Sequence, residues 1–201
     1  MKESMNRKTK LIAIVGGIAV GKTTIGKRLI EKLDRTKFIE EDVSKNEFLS
    51  DFYDDMKKWA FHSRMSTLAM IASNYILDYE YNIILMDRCL DELITFARLQ
   101  YEKGNLSERE FKVYSQLYCD ILAFAPKIDG FIYCTCPSVV SLERIKSRNR
   151  VFEQGIELDY LDKLNMEYEK WISTLDSDKI FTVDTSCCVD IDEIKAFIDK
   201  L

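Results

Sequence analysis

Proline and histidine are nearly missing from this chain of 201 residues: two of the first, Pro126 and Pro137, and one of the second, His62. So few prolines exclude a Pro-rich linker or an extended spacer, and no repeat or low-complexity segment breaks the pattern. The single histidine, His62, has no placed carboxylate and reads as helix surface or core filler rather than as a catalyst. No apolar run reaches the roughly 20 residues of a membrane span, because glycines interrupt the stretch after the polar segment 1–10. Excess positive charge is missing too. The net charge of −5 excludes a nucleic-acid binder held by bulk electrostatics. Six cysteines, Cys89, Cys119, Cys134, Cys136, Cys187 and Cys188, show no metal-ligand spacing and read as reduced thiols in a cytoplasmic protein. Cys134 and Cys136 alternate, which puts both on one sheet face.

What remains is 47% hydrophobic and 31% charged, enough for one compact domain spanning 1–201. Five short apolar segments read as strands: 11–15, 37–41, 82–86, 130–134 and 179–183. Four are nearly continuous in large apolar residues, as strands covered on both faces are. Helical patterns lie between them, which gives an α/β fold with a five-stranded parallel sheet flanked by helices. Phe61, Met65, Leu68, Ala72, Tyr75 and Tyr79 predict a long helix from Trp59 to about Asp78, and Leu161, Leu164, Tyr168, Trp171 and Leu175 predict another. Pro126 ends one helix and Pro137 begins the next.

Gly16-Gly17-Ile18-Ala19-Val20-Gly21-Lys22-Thr23 fits G-x-x-x-x-G-K-S/T and follows the strand Leu11–Val15. Strand, glycine-rich turn and helix together form a phosphate cradle of the P-loop NTPase type. Backbone N–H groups face the anion, Lys22 reaches the β/γ-phosphates of ATP or GTP, and the Thr23 hydroxyl holds Mg²⁺. In an open parallel sheet ligands sit beyond the carboxyl ends of the strands. Glu40-Glu41-Asp42 and Asp87-Arg88 fall there, and an acid at that edge serves as base or Mg²⁺ holder while an arginine clamps phosphate. Arg144, Lys146, Arg148 and Arg150 put four cations into seven residues, followed by Glu153. Arg144 and Arg148 share a helix face, with Leu142 and Ile145 turned inward. We read this as a lid over the phosphates. A solvated basic face is the bland alternative, and no interleaved aromatics support an RNA contact.

Gly16–Thr24, Glu41-Asp42-Val43, Tyr53 with Trp59-Ala60-Phe61, Asp87-Arg88-Cys89 and Arg144–Leu161 occur in that order. Together they resemble the deoxynucleoside kinases, the group with deoxycytidine, deoxyguanosine and deoxyadenosine kinases, over about residues 10 to 175. The stretch from Arg148 to Leu161 is similar to that family's lid nearly residue for residue. The resemblance implies a three-layer P-loop fold with an arginine-rich lid, ATP and Mg²⁺ as cofactors, a small-molecule deoxynucleoside as substrate, and a homodimer joined through long helices. It also implies inhibition by a deoxynucleoside triphosphate and no membrane or nucleic-acid partner. Glu41 matches the acid that deprotonates the 5′-hydroxyl, with Glu40 as the fallback, and Arg88 the arginine beside it. Asp87 matches the acid near Mg²⁺. Tyr53 and Glu153 match the pair on the sugar 3′-hydroxyl, Glu153 arriving as the lid closes. Tyr160 supports the sugar side, and Phe96 joins the substrate-binding residues. Arg144 matches a position near the ATP base, Arg148 and Arg150 positions near the phosphates. The segment Asp184–Asp190 sits where the family's adenine-binding loop lies.

Two departures stand out. The family's base-reading glutamine is here Arg64. Donors alone suit the acceptors of guanine or thymine, which gives a keto-base preference, guanine first. The other reading has Arg64 snorkelling outward or paired with Glu92. The segment Cys89-Leu90-Asp91-Glu92 runs one residue short before Phe96, which leaves Glu92 or Asp91 as the acid shaping the base pocket. Rival functions are a nucleoside-monophosphate kinase, which would need arginines for the acceptor phosphate, and a non-catalytic nucleotide-binding subunit, which would not need Lys22, Thr23, Glu41 and Arg88.

Overall fold

β1 (Lys10–Val15) is the centre of a five-stranded parallel sheet of order β2-β3-β1-β4-β5, with β2 Thr36–Ile39, β3 Ile83–Asp87, β4 Gly130–Thr135 and β5 Ile180–Asp184. This is a computed structural model, and it describes residues 9–76 and 80–201. Side chains of β1 alternate between two cores, as the strand period requires. Ile12 and Ile14 pack with Ile25 and Leu29 of α1 (Lys22–Ile30) and with Ile194 and Ile198 of α8 (Ile191–Lys200). Cys134 and Cys136 join that core, and all six cysteines are free. Leu11, Ala13 and Val15 face the other core, which holds Phe96, Leu99, Leu161, Leu164, Tyr168 and Trp171. Those residues belong to α4 (Leu93–Glu102) and α7 (Leu158–Ile172). A third cluster joins α2 (Leu49–Asp54), α3 (Met56–Ser73), α4 and α5 (Glu108–Phe124) around Phe52, Leu68, Ile71, Leu93 and Tyr114.

Several boundaries differ from the sequence reading. The second strand stops at Ile39, where its pairing with Met86 of β3 ends, so Glu40 and Glu41 lie in the loop beyond it. The third and fifth strands are each displaced by one residue, which makes Asp87 the last residue of β3. The long helix is α3, ending at Ser73; Tyr79 and Asp78 lie outside the described residues. Its buried face is also rotated from the expected stripe: Ala60, Ser63, Arg64, Thr67, Leu68 and Ile71 are buried, while Phe61 and Met65 are half-buried. Polar residues point inward there because this face fronts a cleft. His62 is exposed, against the rings of Phe48, Trp59 and Phe61.

Both β1 and β3 run into turns at the same edge of the sheet. The strand order reverses at β1, since β2 and β3 lie on one side and β4 and β5 on the other. Such a reversal opens a crevice at the carboxyl ends.

Candidate active site

Gly16 follows β1 with φ +137°, and a Cβ there would stand 2.3 Å from the backbone carbonyl oxygen of Cys134. Only glycine fits that turn. Ala19 and Gly21 also take positive φ, 59° and 93°, and curl Gly16–Thr23 around the start of α1. The Lys22 ammonium is buried and donates to the carbonyl oxygens of Gly16 (3.1 Å) and Gly17 (2.7 Å). Burial, and then the Arg88 cation, hold its pKa below the ordinary lysine value. The Thr23 hydroxyl donates to Asp87 Oδ2. Asp87 Oδ1 is buried without a hydrogen-bond partner. Burial pushes the Asp87 carboxyl above its usual range, against the pull of Lys22.

A cleft of about 570 Å³ runs from this loop to α3. At its middle, Arg88 has φ +74°, strained for a non-glycine residue, and its Nε meets Glu41 Oε2 at 2.8 Å. Burial works against the Arg88 charge, but Glu41, Tyr168, Glu92 and Asp87 outweigh it and raise its pKa well above normal. The end lined by α2, α3 and α4 carries Val43, Asn46, Leu49, Tyr53, Arg64, Thr67, Met70, Leu93 and Phe96. Arg64 is 6% exposed, with its guanidinium over the rings of Phe52 (5.1 Å) and Phe96 (5.4 Å). Its Nη2 donates to the Ser63 hydroxyl (3.2 Å), its Nε is buried and unpartnered, and no carboxylate pairs with it among the described residues. It neither snorkels outward nor pairs with Glu92. Asn46 locks the same turn of α3, donating to the Ser63 and Thr67 hydroxyls at 3.1 and 2.9 Å.

The lid begins on α6 (Ser138–Arg148), which ends at Asn149 in the left-handed region, φ +50°. Arg148 grips Glu153 with a two-pronged contact, Nε to Oε2 and Nη2 to Oε1, both 2.7 Å, and Arg150 adds 3.4 Å to Oε1. Glu153 is 4% exposed and reaches the cleft together with Tyr53, whose ring stacks on Phe152 at 6.1 Å. Burial raises the Tyr53 phenol far up, so it is a neutral hydroxyl at ordinary pH. Arg144 instead faces the P-loop side, donating to the Thr185 carbonyl (2.6 Å) and hydroxyl (3.1 Å).

Of the residues read from the sequence, Ile18, Ala19, Gly21, Lys22, Thr23, Thr24, Glu41, Tyr53, Arg64, Asp87, Arg88, Phe96, Arg144, Arg148, Arg150 and Glu153 line this one cleft. Gly16, Gly17 and Val20 lie behind them. Glu92 and Tyr160 do not line it. The Tyr160 hydroxyl is turned to Gln100 Nε2 (3.2 Å). Glu92 is wholly buried beneath the P-loop, so the acid expected in the base pocket is absent there and Leu93 takes the wall. Asp91 does not replace it. Sequence reasoning missed Asn46, Thr67 and Arg28, and it reached only as a segment, Asp184–Asp190, the lining residues Thr185, Cys187, Cys188 and Val189. The last four lie just past β5, where the strand-end rule that found Asp87 would also have found them.

Fold and cleft define a P-loop protein of the phosphoryl-transfer type, with the glycine-rich loop at one end of the cleft and a pocket lined by α2, α3 and α4 at the other. The family model for deoxynucleoside kinases matches residues 12–200. A deoxyadenosine/deoxycytidine kinase of Bacillus subtilis is 30% identical over 177 residues, 86% of this chain and 81% of that protein. The deoxyadenosine kinase of Dictyostelium discoideum is 33% identical over 170 residues, 82% and 67% of the two chains. A solved structure of deoxyadenosine kinase from M. mycoides with bound dCTP superposes with a TM-score of 0.84 at 27% identity, covering 95% of this chain and all of that one. The chain belongs to the deoxynucleoside kinase family. It is a phosphotransferase acting on deoxynucleosides, and the family implies ATP as phosphate donor.

Proposed function

We propose that the enzyme moves the γ-phosphoryl group of ATP to the 5′-hydroxyl of a deoxynucleoside with a keto base, guanine before thymine. The observation that carries this reading is the Glu41–Arg88 pair at the junction of phosphate loop and acceptor pocket. A hydroxyl is a poor nucleophile at neutral pH. Glu41 orients it and takes its proton as the oxygen attacks phosphorus and the bond to ADP breaks. Arg88 holds the Glu41 carboxylate in place and steadies the developing charge on the transferred group. Lys22 and the backbone N–H groups of Ile18–Thr23 hold the donor phosphates, with Thr24, Arg148 and Arg150 beside them. Arg144 and the Thr185–Val189 loop flank the donor base. Tyr53 and Glu153 take the 3′-hydroxyl, and Phe96 packs on the base.

The residues fit Mg²⁺. Asp87 has a buried oxygen without a partner next to the Thr23 hydroxyl, a hard-oxygen donor pair of the kind this ion uses with substrate phosphates. Bound there, Mg²⁺ would neutralise phosphate charge.

For the base, Arg64 is a charged group at the α3 end of the cleft, and no carboxylate pairs with it among the described residues. Its fork matches O6 and N7 of guanine and repels the amino groups of adenine and cytosine. With ATP and Mg²⁺, deoxyguanosine should give the highest kcat/KM among the four common deoxynucleosides, thymidine second. Faster turnover of deoxycytidine or deoxyadenosine removes the base assignment.

We further propose one domain over residues 1–201, a cytoplasmic location and a homodimer. No described helix is long and apolar enough to cross a membrane. Light scattering at the monomer mass of 23.5 kDa would remove the dimer.

A further inference from the structure

Glu92 is a fully buried carboxylate that the steps above leave without a task. It sits at the residue before α4 and turns its side chain back under the phosphate loop. Oε1 accepts from the Cys89 backbone N–H (3.2 Å), and Oε2 accepts from the Gly16 backbone N–H (3.3 Å) and from the Tyr168 hydroxyl. Arg88 Nη1 lies 3.6 Å from the same Oε2 and donates to the Tyr168 oxygen at 3.0 Å. Three chain segments therefore meet on one carboxylate: the P-loop, the β3–α4 turn and α7. Burial raises the Glu92 pKa, opposed by Arg88 and Lys22.

A buried charge is a poor device for stability alone, since apolar packing of equal volume serves as well or better. What this network fixes is the strained turn at Arg88 and the direction of its guanidinium. One edge of that group meets Glu92 and Tyr168, and its Nε meets Glu41.

We propose that Glu92 and Tyr168 are positioning residues for phosphoryl transfer: they aim Arg88 at Glu41 and tie it to Gly16 of the donor loop. Neither touches substrate. The acceptor and donor halves of the cleft then share one rigid joint. This rests on the reading of Arg88 as the arginine of the transfer step, because a joint that aims an idle arginine would have no kinetic consequence.

Tyr168→Phe is the cleanest test. It keeps the ring, with its stack on Tyr133 and its edge contacts to Phe96 and Trp171, and deletes the hydroxyl. The expected result is kcat lowered by about tenfold or more with KM for ATP and for deoxynucleoside within about twofold of the parent, while the loss of one buried hydrogen-bond partner lowers the melting temperature without moving either KM. Glu92→Gln should lower kcat likewise, and the double variant should lose far less than the product of the two single losses. An unchanged kcat in Tyr168→Phe, or kcat, both KM values and melting temperature all moving together, overturns the inference. Arg88→Lys separates the two levels. If Arg88→Lys retains full kcat, the reading of Arg88 itself fails. If it loses kcat while Tyr168→Phe does not, only the positioning inference fails.

Discussion

Glu41→Gln should lower kcat by about 10²- to 10⁴-fold, the usual contribution of a positioned general base. KM for ATP should stay near the parent value, because the proposed mechanism gives Glu41 to the acceptor and Lys22 with the P-loop amides to the donor. Glutamine keeps the shape and one oxygen toward Arg88 Nε, which Glu41 now meets at 2.8 Å. What it lacks is the ability to accept the proton. The fold should survive, since Arg88 retains Tyr168 and Glu92 on its other side. Steady-state kinetics with a saturating deoxynucleoside read the effect. A loss smaller than about tenfold would remove Glu41 as the base, and an equally large rise in KM for ATP would move its role to the donor site.

The second large effect is one of specificity. Arg64→Gln replaces a donor-only fork by a group with one donor and one acceptor face. A good bidentate base contact discriminates by about 1–3 kcal/mol, roughly five- to 150-fold. The ratio of kcat/KM for deoxyguanosine over deoxyadenosine or deoxycytidine should fall by that factor, with kcat for the better substrates retained. Arg64 is held between Phe52 and Phe96 with no counter-carboxylate among the described residues, so its loss removes a buried cation rather than breaking an ion pair seen there. A ratio that does not move would show that Arg64 does not read the base.

The donor half was the most legible in the sequence, because there the chemistry is carried by backbone geometry. A glycine spacing that permits φ of +137° and +93°, placed after a buried strand, leaves the chain little choice. Glu41 and Arg88 were legible by position at strand ends, although β2 stops two residues earlier than its apolar run suggests. β2 is an edge strand, half-buried throughout and paired only with β3, so its end is set by its neighbour. The face of α3 was misread for a different reason. Periodicity finds the apolar side of a helix, but the side of α3 that matters is polar and buried, with Ser63 and Thr67 against Asn46 and Arg64 between Phe52 and Phe96. Glu92 shows the same limit. Nothing in its local sequence separates a carboxylate turned toward a pocket from one folded back under a loop 76 residues away. Thr185, Cys187 and Cys188 carry no charge pattern and were reachable only through the place of their loop after β5.

Transfer of labelled phosphate from γ-labelled ATP, with deoxyguanosine, deoxyguanosine monophosphate or no acceptor present, tests the central claim most directly. The account predicts label on the 5′-oxygen of deoxyguanosine, in one-to-one proportion with ADP, and almost none in the other two reactions. Label passing to the monophosphate instead, or released as free phosphate whichever acceptor is present, would contradict it.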